Sequence, residues 1–419
     1  MFTSPHHLDL KLYCTQQQSV NSKTLDIWPE LPIVIDALAT EFNAYETIIA
    51  TLRHHNRVCK IFYEQFQDSF LEEFVEIDKP FPALTSMALS CYAQDAPVLP
   101  DSFLGGSAPR LRTLHLYGIP YPSIGTLLSS TANLVWLSLL GIPHSGYISP
   151  KTIVPCLSML PRLGSLLLGF RDPRSPARQA SRHPPPLARI VFPSLTYLQF
   201  RGDIEYLEDV LSQIETPMLN ESAFNFFSQL VFDTPLLGHF IHCTETFMTT
   251  HMACVEFSSW QVRVMLWERE EMANDGMETL SLSISCKPLD WQLSALPQVL
   301  NSFLPSLSTL ESLEIAIDHE YWQDEIDVIQ WQEFLHPFTS VKKMTLQDKA
   351  SIRLVIPALR ELPRERATEV LPALQNLSLT TSGSSPSGPL KEAIEEFIAT
   401  QQLDGHPVTV HYKDTKSEE

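Results

Sequence analysis

Glycine is scarce in this sequence, 14 in 419 residues, and basic side chains are outnumbered, 29 Lys and Arg against 49 Asp and Glu. So little glycine leaves few phosphate-cradling loops, and neither GxGxxG, GxSxG nor GxxxxGK before Ser or Thr occurs. The net charge of −20 argues against nucleic acid as the main partner, because phosphate binding needs a basic face. Cysteine is sparse too: seven residues, at 14, 59, 91, 156, 243, 254 and 286, stand singly with no CxxC. A dispersed, odd set reads as reduced thiols packed in the core, which points to the cytoplasm or nucleus. No apolar run approaches the 18 or more residues of a membrane span. The N-terminus MFTSPHHLDLKLY lacks the charged start and apolar centre of a signal peptide, so no membrane partner is expected.

Catalytic and metal signatures are missing as well. HExxH is absent, and the adjacent pairs His6-His7 and His54-His55 point in different directions, a poor arrangement for chelation. The acidic groupings Glu268 to Glu271 and Asp324, Glu325, Asp327 sit in polar runs with nothing apolar to raise a pKa, and read as solvated loops. The expectation is a non-enzymatic protein with no catalytic residue, no metal and no cofactor.

What is present is a repeat. APRLRTLHL (108–116) sets Leu111, Leu114 and Leu116 on one side of a short strand. TANLVWLSL (131–139), LPRLGSLLL (160–168), FPSLTYLQF (192–200) and LPALQNLSL (371–379) repeat it. Indexed on the first apolar position, the units fall at Val58, Leu84, Leu111, Leu134, Leu163, Leu195, Leu219, Met252, Met277, Leu310, Val341 and Leu374. Their spacing averages about 29 residues. Helical signatures lie between them. Ser149-Pro150 and Thr234-Pro235 read as caps followed by Pro in the first turn, and Asp203 reads as the cap of 204–214. Further helices are expected at 44–55, 123–131, 292–303, 327–335, 352–361 and 389–402.

Strand, helix, strand at this period predicts parallel strands joined by crossovers, with no sign of doubling back. The fold class is therefore α/β, a leucine-rich-repeat solenoid of ribonuclease-inhibitor type, a horseshoe with strands on the concave face and helices on the convex one. Residues 1–57 are expected as N-terminal capping strands (8–13 and 31–35) and a helix, and 58–379 as the solenoid. Residues 380–412 are expected as a C-terminal helix and strand cap, and 413–419 as a disordered tail. The Arg- and Pro-rich stretch 171–189, of net charge +4, interrupts the solenoid. It reads either as a plain linker or as a contact for an acidic surface, tuned by phosphorylation at Ser175 and Ser181.

Strand alternation turns the residues flanking the second Leu outward. These are Thr113, His115 and Tyr117; Trp136, Ser138 and Leu140; Ser165 and Leu167; Tyr197, Gln199 and Arg201; and further on Glu256, Glu314, Lys343 and Thr345. Tyr, Trp and Arg often anchor interfaces, so a protein-binding patch is expected at Thr113, His115, Tyr117, Trp136, Ser138, Tyr197, Gln199 and Arg201. The other reading is that Trp136 and Tyr197 merely cover neighbouring repeats.

Several strings carry a family resemblance: TLDIWPELPIVI (24–35), IPHSGYISP (142–150), PPPLARIVFPSLTYLQFRGDIEYLEDV (184–210), QLVFDTPLL (229–237), DWQLSAL (290–296), LHPFTSVKKM (335–344) and LPALQNLSL (371–379). Over essentially the whole chain the sequence resembles the basidiomycete F-box and leucine-rich-repeat proteins. The resemblance implies substrate recognition within an SCF-type ubiquitin ligase, with a protein substrate on the concave face. The F-box itself, a Leu-Pro followed by short amphipathic helices, is expected ahead of residues 8–13. WPELP (28–32) does not lead into such a helix. Skp adaptor and cullin are thus expected as partners only where an F-box is encoded upstream. The alternative is a leucine-rich-repeat scaffold or regulator unrelated to ubiquitination.

Overall fold

The computed structural model describes residues 12–15, 31–37, 45–64, 74, 79–93, 96–173, 189–228, 232, 234–268, 278–286, 289–300, 307, 309–318, 328–360, 370–381, 388–403, 405 and 407–414. The expectations for Met277, His6-His7, Ser175, Ser181, residues 269–271, 324–327 and 415–419 fall outside them. The chain divides into two compact units, 1–202 with 212–218, and 203–211 with 219–419.

In the first unit, β1 (Leu12–Thr15), β2 (Ile33–Ala37), β3 (Val58–Glu64), β4 (Ser86–Ser90), β5 (Thr113–Tyr117), β6 (Trp136–Ile142) and β7 (Ser165–Phe170) pair in chain order, all parallel. A short parallel pair joins β8 (Ile190–Val191) to β10 (Ile214–Glu215), while β9 (Tyr197–Gly202) extends the main sheet beside β7. Helices α1 (Tyr45–Leu52), α2 (Ile124–Leu128) and α3 (Pro150–Ser158) supply crossovers. Parallel neighbours need such links, because a hairpin returns the chain antiparallel.

A tight turn sets each strand. The amide of Leu111 donates to the carbonyl of Ala108, Leu163 to Leu160 and Leu195 to Phe192. Pro109, Pro161 and Pro193 take the second place of these turns, where the ring presets the required φ. One residue past the index leucine, a single carbonyl accepts two amides from the next repeat. Arg112 receives Val135 and Trp136, Val135 receives Gly164 and Ser165, and Gly164 receives Thr196 and Tyr197. Leu111, Leu114, Leu116 and their counterparts through Phe200 are buried. Truncating any one to Ala costs about 2–5 kcal/mol, since the parallel stack cannot collapse around the cavity.

The second unit opens with α4 (Ile204–Leu211) and β11 (Glu221–Phe227), then α5 (Pro235–Cys243), α6 (Glu245–Met248), β12 (Met252–Phe257), β13 (Gln261–Trp267) and β14 (Leu280–Ser285). It continues through α7 (Leu289–Leu300), β15 (Ser312–Ile317), α8 (Val328–Leu335), β16 (Lys343–Leu346), α9 (Lys349–Arg360), β17 (Asn376–Thr381), α10 (Pro389–Leu403) and β18 (Thr409–Asp414). Here the expectation of no doubling back fails. The order is β11, β14, β13, β12, β15, then β16 to β18, and β13 runs antiparallel to both neighbours. The reason is the link Ser258, Ser259, Trp260, which is too short for a crossover. Ser258 closes it, its amide and hydroxyl both donating to the Gln261 carbonyl at 2.9 Å. Buried Gln292 braces the same corner, Nε2 donating to the carbonyls of Ser258 and Cys286.

Met252 is corrected as an index position. It faces Ser312 in register, two residues past buried Leu310, so the index place belongs to buried Thr250 and Met252 lies on the opposite side of the sheet. Ser149 and Thr234 precede α3 and α5 as expected but make no side-chain capping bond. The α5 cap comes from the preceding helix: Glu208 Oε2 and Oε1 accept the amides of Leu236 and Leu237 at 2.9 and 2.7 Å. Asp348 caps α9, Oδ1 accepting the Ser351 amide and Oδ2 the Ile317 amide, both at 2.7 Å. Both units are α/β stacks of leucine-rich strand–helix repeats, the class read from the sequence.

Candidate interaction face

The outward residues of the first unit fall into rows, because parallel pairing puts equivalent positions side by side. Thr113, Trp136, Ser165 and Tyr197 share one row. Alternate strands stand about 9.6 Å apart. The Trp136 and Tyr197 rings nevertheless lean together over the small Ser165, with centroids 6.4 Å apart and planes 16° from parallel. Trp136 keeps 40% of its surface exposed.

The next row is His115, Ser138, Leu167 and Gln199. His115 Nδ1 lies 2.8 Å from Ser138 Oγ, and the Tyr197 hydroxyl donates to Gln199 Oε1 at 3.1 Å. Ser138 is only 1% exposed. The structure thus places it beneath the surface, where it orients His115.

In the third row Tyr117 pairs with Leu140, and Gly169 with Arg201. A Cβ on Gly169 would lie 2.9 Å from Leu140 Cδ2 and 3.3 Å from Arg201 Cβ, so the glycine is the gap both side chains use. The Tyr92 ring, 58% exposed, lies 5.1 Å from that of Tyr117. Tyr92 escaped the sequence reading because it lies beyond the end of β4. Its one signal is the repeat spacing, which brings the end of β4 beside Tyr117.

Two groups tie this face to the loops above it. Gly118 has φ +70°, and a Cβ there would fall 1.9 Å from the Cys91 carbonyl oxygen. Arg171 donates to the carbonyls of Ala93 (3.1 Å) and Gly118 (3.5 Å), joining the ends of three repeats.

The second unit presents a different outward surface. Met252, Cys254, Met265 and Trp267 lie on that side yet are buried together. Burial pushes the Cys254 thiol pKa up, and the Glu314 and Glu256 carboxylates add to it. Glu314 stands in register with Thr345, and Glu256 opposite Arg263. Lys343 is half-buried on β16 beside Ser312. The Lys342 ammonium bonds Glu311 Oε1 at 2.7 Å and holds that carboxyl below its usual range.

His55 turns Nδ1 to the Pro80 carbonyl at 2.8 Å. Among the described residues no group of three or more His, Cys, Asp or Glu is placed to hold a metal ion, and no helix is long and apolar enough to cross a membrane.

No protein-family model matches the chain, and no curated protein does. Among solved structures it is similar to the leucine-rich repeat-containing protein LegL7 from Legionella pneumophila, at 15% identity over 81% of this chain and 95% of that one, with a TM-score of 0.27. A likeness of that degree adds nothing to what the repeats themselves display.

Proposed function

We propose that the chain is a non-enzymatic protein-interaction module, and that the outward face of its first unit, centred on Tyr117, Trp136, Tyr197 and Arg201, is the contact surface. The observation that carries this reading is the Trp136–Tyr197 stack. Two large rings are held near-parallel, Trp136 exposed and Tyr197 half-buried, and are already ordered, so little side-chain freedom is lost on binding. Tyr92 and Tyr117 extend the platform, and Arg201 is exposed in the third row. A patch of aromatic anchors with a polar surround is what interface cores use. The residues suit recognition rather than bond-breaking, since the hydroxyl that His115 faces, that of Ser138, is 1% exposed and out of a substrate's reach.

The finer reading follows the sequence resemblance: the module serves as the substrate-recognition part of an F-box protein, with the ligase recruited through an F-box outside this stretch. The test is affinity capture with wild type and with Trp136→Ala plus Tyr197→Ala, then surface plasmon resonance on each partner found. Support is a partner whose affinity falls at least about tenfold in the double variant. Equal affinity for every partner removes the face. Recovery of Skp adaptor and cullin with the full transcript product supports the ligase reading, and their absence overturns it while leaving the interaction face standing.

A further inference from the structure

Acidic residues are missing from one long part of the chain. From Ser102 to Arg171 no Asp or Glu occurs, where the chain's average frequency would place about eight. The same stretch holds five Lys and Arg: Arg110, Arg112, Lys151, Arg162 and Arg171. It carries +5 and the rest of the chain −25. The strands β4, β5, β6, β7 and β9 contain no carboxylate at all, so the three outward rows around Trp136 and Tyr197 have none on these strands. The outward side of the second unit differs, with Glu256 and Glu314 on it.

Cations stand at both ends of the aromatic stack. Arg112 is exposed just ahead of β5, and its carbonyl accepts the Trp136 amide, which sets the two residues side by side. Arg162 is also exposed and reaches back to the preceding turn, one N–H donating to Asn133 Oδ1 at 3.2 Å. Asn133 is itself anchored, Nδ2 donating to the Pro109 carbonyl at 3.3 Å. The Arg162 guanidinium is thereby held near the start of the Trp136 strand. At the other end Arg201 is exposed, four residues and about 13 Å along β9 from Tyr197.

We infer that this face receives an acidic peptide in extended form. The peptide lies along the strands, with an apolar side chain on the Trp136–Tyr197 rings and carboxylates toward Arg112 and Arg162 at one end and Arg201 at the other. The inference rests on the outward face of the first unit being the contact surface, and it names what that surface contacts. Guanidinium groups take carboxylates through paired, charge-assisted hydrogen bonds, and the rings supply the apolar contact between them. An extended chain covers about 13 Å with roughly four residues, so one short segment reaches both basic ends. A long polyanion such as nucleic acid fits less well. The −25 elsewhere on the chain repels it, whereas a local field screened within about 8 Å is enough for a short segment.

The test selects a random dodecapeptide display library on the immobilised full chain, then measures the enriched peptides by fluorescence anisotropy. Enriched sequences are expected to carry net negative charge around an apolar residue and to weaken as salt rises from about 50 to about 300 mM. Arg112→Glu plus Arg201→Glu should cost at least about tenfold in affinity, and the milder Arg112→Gln plus Arg201→Gln a smaller loss in the same direction. An unchanged thermal midpoint checks that each variant folds. Wild-type affinity in the Glu variant overturns the inference, as does a library that yields no binder. Neutral or basic peptides whose binding is lost in Trp136→Ala plus Tyr197→Ala overturn the acidic partner and leave the contact surface standing. Acidic peptides that bind that variant as they bind wild type overturn both. A fluorescein-labelled oligothymidylate that binds more tightly than every enriched peptide, and is lost in the Glu variant, makes the ligand a nucleic acid and overturns the inference as well.

Discussion

Trp136 on β6 and Tyr197 on β9 stack across an intervening strand, 6.4 Å apart and 16° from parallel, with Ser165 between them in the same row. The stack depends on the smallness of the residue beneath it. Its own contribution to stability is modest, about 0.5–1.5 kcal/mol for an aromatic pair. A double-mutant cycle in urea over Trp136→Ala and Tyr197→Ala should return a coupling in that range. Binding should suffer far more, by about 2 kcal/mol or thirtyfold if the pair is an interface anchor. A bulky Ser165→Leu should prise the rings apart and reproduce the binding loss with little loss of stability.

The cap given by Glu208 to α5 crosses from one helix to the next. Glu208→Ala removes two charge-assisted bonds to the first-turn amides and should destabilise the second unit by about 1–2 kcal/mol. Glu208→Gln, which retains one oxygen acceptor, should recover part of that. Urea midpoints at neutral pH measure both.

Asp348 accepts one amide from its own helix and one from β15. Asp348→Ala loses the cap and strands the Ile317 amide, for an expected cost of about 2–4 kcal/mol. Asp348→Asn, with one oxygen, can satisfy only one of the two donors and should fall between. Hydrogen exchange at the Ile317 amide should quicken in both.

Gly118→Ala puts a methyl group 1.9 Å from the Cys91 carbonyl oxygen and forces a left-handed φ on alanine. Backbone must move, so a loss of several kcal/mol is expected, with the thermal midpoint as readout. Gly388→Ala shares a left-handed φ, +67°, but meets nothing within 4 Å. Its cost should be only about 1 kcal/mol.

Cys254 and Cys243 should behave oppositely toward an alkylating agent at pH 8. Cys243 is exposed and should react at once, whereas Cys254, buried with a raised pKa, should stay unlabelled in the native protein. The same shift sets a pH slope. Above about pH 8.5 the unfolded thiol loses its proton while the folded one keeps it, so the folded state binds more protons and stability falls as pH rises. Cys254→Ala should make the alkaline limb less steep.

The repeat was legible because turn, strand and core speak through the same few residues. Pro109 presets the turn, and Leu111, Leu114 and Leu116 mark the buried side. The reversed β13 was not legible. Val262, Val264 and Leu266 alternate as any strand would, and only the short Ser258–Trp260 link betrays its direction. Met252 misleads for a related reason: with Met252 and Cys254 buried on one side and Ala253 and Val255 on the other, apolar residues occupy both phases of the strand as far as Glu256. The outward rows followed from alternation alone, but alternation says nothing of depth. Ser138 was therefore expected at the surface it supports. The Glu208 cap joins residues 28 apart, beyond any local pattern.

The reversed strand also governs how the second unit can assemble. In the first unit Thr113 meets Trp136 after 23 residues, so each repeat can add to the one just made. In the second, Ser222 on β11 waits 58 residues for Leu280 on β14, and Met252 waits 60 for Ser312. The hairpin of β12 and β13 must form before β14 has a second edge to lie against. Closing such loops carries an entropic cost before any contact rewards it, and folding rates fall as contacts become less local. The first unit can grow by sequential addition, while the second must condense around a pre-formed hairpin, and that step is where its refolding should be slowest.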